Sequence, residues 1–381
     1  MQWRSVRCWQ RTDLHCNLEF VLKLYCLSPR CDYVVRVVGL SESNIILVTG
    51  GAGFIGSALV CELNNRGFEN ILIADFLGSG DKFFNLVPLR FVDYVEADKL
   101  LELVRKNDSL LSGVSHVFHL GACTSTAECN AAYLIENNYA YSKALANFAK
   151  GKGARFVYAS SAATYGDGST GMSDKVHPNA ALRPLNAYGY SKHLFDLYAV
   201  KNNLPAYGMK YFNVFGPNEY HKGDMGSMIP KAYESIVKTG KVQLFKSEDS
   251  RYADGEQMRD FLYVKDAVAM TIFLSEVPKY ANGKATHGIY NLGSGVASTW
   301  KELALSVFRA MNLKPNIEFV EMPSALKNKY QYHTRADISK LRAIGYTGKI
   351  TPLADAVADY VRNYLSRGMA RLEPGSAPAS R

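Results

Sequence analysis

A tyrosine and a lysine four positions apart, Tyr188 and Lys192, are the residues of this sequence best suited to proton transfer. On a helix the two side chains project from the same face. An ammonium group beside a phenol favours the phenolate, whereas an isolated phenol titrates only near pH ~10. The pair is suited to acid–base chemistry, but it could equally be two residues that share a helix surface. The strands, helices and loops around the pair distinguish between these two interpretations.

A glycine-rich turn near residue 50 predicts a site for a dinucleotide. Gly50, Gly53 and Gly56 follow the apolar run Ile45–Val48 and precede an amphipathic helix over residues 57–67. In such a turn the first glycine permits the tight bend, the second lets the backbone approach a pyrophosphate, and the third lets the helix pack on the strand. The phosphates would meet the free N–H groups at the helix N-terminus. A glycine pattern between a strand and a helix is a strong signal for this site.

An acidic residue closes the next predicted strand, Ile71–Asp75. Asp75 lies where the Rossmann pattern places an acid that binds the adenosine ribose. Lys82 follows a few residues later and could accept a 2′-phosphate. These residues leave the choice between NAD and NADP open.

Two further predicted strands, Val114–Ala122 and Arg155–Ser161, end in small or polar residues. Ligands of a doubly wound sheet lie outside the carboxyl ends of its strands. Ser160 or Ser161 is therefore placed to bond a substrate hydroxyl. The order strand, serine, loop and then Tyr-x-x-x-Lys gives the tyrosine and lysine a chemical context.

The alternation of strands and helices predicts an α/β fold, a Rossmann-type doubly wound parallel sheet with a smaller C-terminal substrate-binding domain. The predicted divisions are an N-terminal extension without a catalytic role, an NAD(P)-binding domain, a substrate-binding domain and a disordered tail. Their bounds are, in that order, 1–43, then 44–216 with about 259–297, then about 217–258 with 298–366, and finally 367–381.

Composition argues against several other classes of protein. The formal charge is +9, and no run of Lys or Arg interleaved with aromatics suggests a nucleic-acid groove. The seven cysteines have neither the paired spacing of a disulfide framework nor that of a zinc site, so we expect no metal. Reduced thiols fit a cytoplasmic protein. No apolar run reaches the about 18 to 20 residues that a membrane span requires.

These motifs together resemble the extended short-chain dehydrogenase/reductase superfamily and, within it, the family of ADP-heptose 6-epimerases. The resemblance runs from about Ile45 to about Leu365, and His221-Lys222-Gly223 is its most selective part. Its other carriers are the segments Asp81–Asn85, Gly121–Thr126, Tyr158–Gly166, Leu185–Lys192, Tyr211–Pro217, Glu219–Gly223 and Lys329–Gln331.

The resemblance implies a role for each matching residue. The catalytic residues would be Tyr188 and Lys222 as two acid/base groups, Lys192 as the partner of the tyrosine, and Ser161 on the reacting hydroxyl. The cofactor would contact Gly50, Gly53, Phe54, Ile55, Gly56, Asp75, Phe76, Lys82, Leu120, Gly121, Ala122, Cys123, Thr124, Asn137, Tyr188 and Lys192. The substrate would contact Ser161, Asn213, Val214, Asp224, Lys231, Phe245, Arg259 and Tyr330, with Arg259 on its pyrophosphate.

The resemblance also implies the reaction and the partners. C6 of the heptose in ADP-heptose would be inverted through a transient 6-keto sugar, a step of lipopolysaccharide core synthesis. One NADP would be tightly bound per subunit, with NAD as an alternative because Ala97 stands where the family often has a further cofactor-side lysine. Family members form closed rings, so we expect a homo-oligomer, for which a homopentamer is one form.

Two competing interpretations remain. The first is another nucleotide-sugar enzyme: a 4-epimerase, or a 4,6-dehydratase, which would need an additional acid. The segment Ser161–Thr164 contains no carboxylate, which argues against the dehydratase. The second is a non-catalytic dinucleotide-sensing or RNA-binding relative, but such relatives typically lose the Tyr or the Lys of the pair, and both are present here.

Overall fold

A computed structural model of the chain describes residues 44–175, 182–281, 283–324 and 330–375. The predicted extension of residues 1–43 and the last part of the predicted tail, residues 376–381, lie outside the described residues. The strands are β1 (Ile45–Thr49), β2 (Ile71–Asp75), β3 (Asp93–Glu96), β4 (Val114–His119), β5 (Arg155–Ser161), β6 (Ala206–Tyr211), β7 (Asn213–Phe215), β8 (Val242–Phe245), β9 (Met258–Tyr263), β10 (Tyr280–Ala281), β11 (Lys284–Ala285), β12 (Gly288–Leu292), β13 (Ala297–Thr299) and β14 (Ile317–Val320).

Helices alternate with these strands in the first half of the chain. The α-helices are α1 (Phe54–Asn65), α2 (Ala97–Lys106), α3 (Ala131–Leu134), α4 (Tyr141–Lys152), α5 (Ala187–Lys201), α6 (Met228–Thr239), α7 (Val264–Glu276), α8 (Trp300–Ala310), α9 (Ser339–Ala343) and α10 (Leu353–Asn363). A π-helical stretch, Ile135–Ala140, joins α3 to α4, and the short 3-10 turns are Asp81–Asn85, Ser109–Leu111, Ala162–Tyr165, Tyr220–Met225 and Leu365–Arg367.

The central sheet has the order β12-β6-β5-β4-β1-β2-β3 within the described residues, and every neighbouring pair in it is parallel. The chain moves outward from β1 to β2 and β3, then returns to the other side of β1 with β4. This reversal leaves a crevice at the carboxyl ends of β1 and β4, where doubly wound folds bind their ligands. The predicted Rossmann-type α/β fold is confirmed.

Both faces of the sheet are covered, which explains why its strands are continuous apolar runs. Successive side chains of a strand point to opposite faces. Ile46 and Val48 accordingly belong to one buried cluster, together with residues of α1 and α7, while Leu47 belongs to a second cluster with residues of α4 and α5. Two layers of helices thus hold the carboxyl ends of the strands at one rim.

One predicted strand is divided in the structure. The run Tyr207–Pro217 is predicted as a single strand, but β6 ends at Tyr211 and β7 begins at Asn213. β6 stays in the central sheet, whereas β7 pairs with β9 in a three-stranded sheet that also contains β13. The break turns the chain away at the sheet's rim, so that Asn213 is exposed and Val214 is only partly buried. β8 and β14 form a separate parallel pair.

The predicted division into a cofactor domain and a substrate domain stays a prediction.

Among the helices in the described ranges, none has the length and apolar character required to cross a bilayer.

The predicted disorder of the tail from residue 367 is wrong for residues 368–375. Leu372 is buried, and its backbone N–H donates to Asn218 Oδ1 at 3.0 Å. The backbone N–H of Gly375 donates to Asn65 Oδ1 at 2.8 Å. The composition of the tail suggested disorder, but two asparagines distant in sequence satisfy its backbone groups.

Candidate active site

The glycine turn closes so tightly that two of its glycines leave no room for a side chain. Gly50 has φ +72°, and a Cβ atom there would lie 2.6 Å from the backbone nitrogen of Gly121. A Cβ atom on Gly56 would lie 2.0 Å from the carbonyl oxygen of Gly50. The first glycine therefore permits the bend and the close approach of the segment that follows β4, and the third permits the packing of α1 on β1.

The N-terminus of α1 is suited to a pyrophosphate. The N-cap residue Gly53 has no side chain that could cap this helix, and the first turn contains no acidic residue. Its free N–H groups and the positive end of its dipole therefore face the crevice. This open cradle fits a dinucleotide.

Asp75 and Lys82 lie at the end of the crevice where the adenosine of a dinucleotide is predicted to bind. Asp75 Oδ2 accepts hydrogen bonds from the backbone of Ala52 at 2.9 Å and of Gly53 at 3.1 Å, so the carboxylate braces the glycine turn. Its other oxygen pairs with Lys82 Nζ at 2.5 Å, and Lys82 also donates to the carbonyl of Phe76. A cation therefore lies beside the predicted ribose ligand.

A cavity of about 580 Å³ extends from this crevice across the carboxyl ends of the strands. It brings together most of the predicted site residues. From the predicted sets it is lined by Gly50, Gly53, Phe54, Ile55, Gly56, Asp75, Lys82, Leu120, Gly121, Ala122, Cys123, Thr124, Ser161, Tyr188, Lys192, Asn213, Val214 and Lys222. Residues from both halves of the chain thus meet at one site.

The predicted cofactor residues Phe76 and Asn137 line a smaller adjoining cavity of about 230 Å³. Asn138, which was not among the predicted ligands, has the more specific structural role. It is buried in the π-helical stretch, where its side chain accepts from the backbone N–H of Cys123 at 2.8 Å and donates to the carbonyl of Cys123 at 3.0 Å. It also donates to Ser191 Oγ at 3.0 Å. Asn138 therefore ties the loop after β4 to helix α5.

Tyr188 and Lys192 lie in the first turns of α5, which begins at a capping asparagine. Asn186 accepts from the backbone N–H of Gly189 at 2.8 Å, and this cap starts the helix just before the tyrosine. Lys192 Nζ donates to the carbonyl of Ala159 at 2.8 Å, which anchors it to the end of β5. The Lys192 side chain is therefore fixed against the central sheet, one helical turn from Tyr188.

Burial dominates the protonation of both groups. It raises the pKa of Tyr188, and a hydrogen bond with Ser161 opposes this rise. It lowers the pKa of Lys192 to about 8, although the charge of Asp196 one turn later opposes this change. The predicted lowering of the pKa of Tyr188 is therefore wrong for this structure, because desolvation of the phenol is the largest effect.

Lys222 reaches the same cavity from a different element. It lies in the turn Tyr220–Met225, which Gly223 breaks with φ +51° and ψ −125°. Its ammonium nitrogen lies 5.9 Å from the centroid of the Phe54 ring, at the start of α1. Burial lowers the pKa of Lys222, and the carboxylate of Glu219 opposes this change.

Glu219 is itself fixed by the backbone. Its carboxylate accepts from the N–H of Gly216 at 3.1 Å and from the N–H and hydroxyl of Ser227 at 2.6 and 2.7 Å. Because both ends of the turn are bound to one buried carboxylate, the lysine between them is held in a defined position.

His221 also lines the cavity and was missed as a site residue. Its Nδ1 lies 3.3 Å from the side-chain nitrogen of Asn85. Burial lowers the pKa of His221 to about 4, and the positive charges of Lys82 and Lys222 act in the same direction. A neutral imidazole therefore lies beside Lys222. The signal in the sequence that could have identified His221 was its position next to Lys222.

Five predicted substrate contacts do not line this cavity. Arg259 and Tyr330 do form a unit, because the guanidinium lies 4.9 Å from the tyrosine ring centroid and 5.7 Å from that of Trp300. Phe245 ends β8 and is partly buried. Asp224 and Lys231 are exposed and contact each other, since Lys231 Nζ donates to the carbonyl of Asp224 at 2.7 Å.

Comparison with known proteins identifies the family of this chain. Residues 46–293 match the model of the NAD dependent epimerase/dehydratase family. The chain belongs to this family. Similar relatives include the ADP-L-glycero-D-manno-heptose-6-epimerase of Nitratidesulfovibrio vulgaris, 49% identical over 322 residues, which are 84% of this chain and 98% of the relative. The enzyme of the same name from Fusobacterium nucleatum is 44% identical over 335 residues, 85% of this chain and 98% of the relative.

Solved structures of epimerases share the fold of this family member. The ADP-L-glycero-D-manno-heptose-6-epimerase of Helicobacter pylori has a TM-score of 0.69 and 25% identity, covering 86% of this chain and 99% of its own. The UDP-glucose 4-epimerase of Thermus thermophilus, solved in complex with NAD, has a TM-score of 0.63 and 25% identity, covering 84% and 99%. The predicted membership of the extended short-chain dehydrogenase/reductase superfamily is confirmed.

Proposed function

We propose that this protein is an isomerase that converts ADP-D-glycero-D-manno-heptose to ADP-L-glycero-D-manno-heptose. The observation that carries the proposal is that one cavity holds two separate proton-handling groups, Tyr188 with Lys192 from α5 and Lys222 from the turn after β7. The similarity to the named heptose epimerases over nearly their whole length supports the substrate.

A bound nicotinamide dinucleotide would supply reversible hydride transfer, which inversion of a carbon without an acidic proton requires. We propose NADP, with one molecule held tightly in each subunit. Lys82 supports this choice because it neutralises Asp75 where a 2′-phosphate would lie. NAD is the alternative, in agreement with the NAD-bound relative.

The two acid/base groups have complementary proton affinities. Burial raises the pKa of Tyr188 and lowers the pKa of Lys222. Near neutral pH the phenol therefore keeps its proton, while the lysine more readily becomes a neutral amine. Groups whose environments move their pKa values apart are suited to act as an acid and a base in one reaction.

In the proposed cycle, Lys222 accepts the proton of the substrate's C6 hydroxyl. The sugar carbon then presents its opposite face, which moves its oxygen toward Tyr188, and the phenol donates its proton to that oxygen. Exchange with solvent then removes the proton gained by Lys222 and restores the proton lost by Tyr188, so that both groups begin the next cycle in their starting states. The reverse reaction exchanges the two roles. Ser161, which lines the same cavity as Tyr188 and lowers the pKa of its phenol, would hold the oxygen near the phenol.

The remaining substrate contacts are proposed from their positions. Asn213 and Val214 lie on the cavity wall. Arg259 stacks on Tyr330 and would bind the pyrophosphate, since burial and the aromatic ring keep its guanidinium in place. Phe245, Asp224 and Lys231 could reach the substrate only if their segments move toward the cavity. We further propose a cytoplasmic homo-oligomer, with a homopentamer as one form.

The test combines cofactor identification with turnover. The purified protein is denatured, the released nucleotide is identified by mass spectrometry, and the native protein is incubated with ADP-heptose or UDP-glucose. We expect released NADP and epimerisation of ADP-heptose alone. Turnover of UDP-glucose alone would indicate a 4-epimerase, and no turnover despite bound nucleotide would indicate a non-catalytic relative.

Two variants test the roles of the acid/base groups. Tyr188→Phe and Lys222→Met should each lower kcat by about 10² to 10⁴-fold, the range for loss of general acid–base catalysis. Tyr190→Phe is a matched control, because Tyr190 lies on the same helix and is 49% exposed. Full activity of the Lys222→Met protein would exclude the two-base scheme.

A further inference from the structure

The last described segment of the chain, Gly368–Gly375, packs against the predicted catalytic region. We call this segment the C-terminal strap. Gly368, with φ +70°, ends the turn Leu365–Arg367 and redirects the chain. The strap then runs past Leu372, which is buried. Its position is unexpected for a stretch rich in small residues and proline, and three sets of contacts connect it with the cavity.

The first contact joins the strap to α1 through a buried asparagine. The backbone N–H of Leu372 donates to Asn218 Oδ1 at 3.0 Å. Asn218 is fully buried and has φ +77°, a conformation that asparagine tolerates better than most residues. Its side-chain nitrogen donates to Ser57 Oγ at 2.9 Å, on the first turns of α1. The strap therefore braces a strained position four residues before Lys222.

The second contact joins the strap to the glycine turn. Arg371 Nε donates to Asn85 Oδ1 at 3.0 Å. The side-chain nitrogen of Asn85 lies 3.1 Å from the carbonyl oxygen of Ala52 and 3.0 Å from that of Asn218. Asn85 thus connects the glycine turn with the segment that leads to Lys222, and the arginine holds the orientation of its amide.

The third contact involves Tyr220, the first residue of the turn that contains Lys222. Tyr220 donates its hydroxyl proton to the carbonyl of Ala370 at 2.9 Å. The guanidinium of Arg371 lies 4.8 Å from the centroid of the same ring. The strap therefore holds Tyr220, the residue that begins the turn, while the Glu219 carboxylate holds the backbone on both sides of the turn.

We propose that Arg371 and the C-terminal strap are positioning elements that hold Lys222 and the glycine turn in their working arrangement. Arg371 does not line the cavity and acts through Asn85 and Tyr220. The consequence for catalysis rests on the proposed function of Lys222. The expected effect on the order of the segment 216–227 and of the glycine turn does not depend on that proposed function.

The test compares the protein with Arg371→Ala, with Arg371→Lys and with a chain that stops after Arg367. Arg367→Ala is the matched control, because Arg367 precedes the strap and its side chain is exposed. We expect Arg371→Ala to lower kcat about tenfold, the effect of ~1.4 kcal/mol, about the value of one hydrogen bond to a charged group. KM for ADP-heptose should change less than about twofold, since the substrate contacts are retained.

Two readouts separate positioning from general stability. Arg371→Lys keeps a cation over Tyr220 and should recover most of kcat. Hydrogen exchange measured by mass spectrometry should become faster in residues 216–227 and 50–56 of the Arg371→Ala and truncated proteins, with less change in β5. Arg367→Ala should match the parent protein in both measurements.

Either of two results would overturn the proposal. One is an Arg371→Ala protein with a lowered Tm but unchanged kcat and unchanged exchange in residues 216–227. The other is an equal kcat in the lysine and alanine variants. If the parent protein does not turn over ADP-heptose, the proposed function fails. The exchange data and the amount of retained dinucleotide then still decide whether the strap orders the site.

Discussion

A buried ion pair behind the end of β5 gives a quantitative test of how the site is supported. Lys210 Nζ lies 2.8 Å from Asp196 Oδ2, and their side chains are 3% and 0% exposed. Asp196 also accepts from Tyr158 Oη at 3.0 Å and from Ser160 Oγ at 2.8 Å. Lys210 donates a second hydrogen bond to Thr164 Oγ1. The pair thus joins β6, α5 and the end of β5.

Replacing Lys210 with methionine should destabilise the protein strongly. The substitution leaves the carboxylate of Asp196 buried without a cation, and removing one partner of such a pair costs about 3–5 kcal/mol. The double variant Asp196→Asn with Lys210→Met removes both charges and should be more stable than Lys210→Met alone. The second substitution should therefore recover about 2 kcal/mol, because it removes the uncompensated charge.

The assay is urea unfolding at pH 7 with a fixed concentration of dinucleotide, because a bound ligand adds to apparent stability. Lys238→Met is the matched control. Lys238 pairs with Glu234 at 2.6 Å, but their side chains are 68% and 54% exposed, so its loss should cost less than about 1 kcal/mol. A Lys210→Met protein no less stable than this control would refute the reasoning, as would a double variant whose loss equals the sum of the two single losses.

Three further outcomes follow from the structure. Lys192→Met should abolish activity yet raise the free energy of unfolding at pH 7 by up to about 3 kcal/mol. The reason is that the pKa of Lys192 is about 8 in the folded chain but ~10.4 in the unfolded chain. The free energy of unfolding of the parent protein, measured by urea titration, should therefore rise between pH 8 and pH 10, and the variant should lack this rise. Burial lowers the pKa of His119 to about 3, so the free energy of unfolding should fall as the pH drops below ~6.5. His119→Gln should remove about 3 kcal/mol of that fall at pH 4. A variant whose free energy of unfolding depends on acidic pH as the parent's does would contradict this. Gly56→Ala should purify without dinucleotide, measured by absorbance at 260 nm, because its Cβ would lie 2.0 Å from the Gly50 carbonyl; full occupancy would contradict the packing argument.

The central sheet and the glycine turn could be predicted because their signals are local. Buried parallel strands are continuous apolar runs, and the spacing of Gly50, Gly53 and Gly56 reflects steric limits within seven residues. The strand bounds Ile71–Asp75 and Arg155–Ser161 agree with the structure for the same reason. The break at Phe212 could not be predicted, because both halves of that run are apolar and only their partners in two different sheets separate them.

The site residues, too, could be predicted only where their signals are local in the sequence. The amide of Asn138 supports the loop after β4, yet the sequence does not distinguish it from Asn137, because only the π-helical turn decides which asparagine faces inward. The contacts of the C-terminal strap depend on Asn85 and Asn218, which lie far from it in sequence. A local pattern cannot report such contacts, and the composition of the strap suggested the opposite.

The protonation of the acid/base pair shows why residue identity alone was insufficient. The spacing of Tyr188 and Lys192 suggested a phenol made more acidic by its neighbour, but burial acts on both groups and raises the pKa of the phenol instead. A phenol that retains its proton needs a separate base in the same cavity. Lys222, with its pKa lowered by burial, has that property. The electrostatics of the cavity therefore support the scheme of two acid/base groups that we propose.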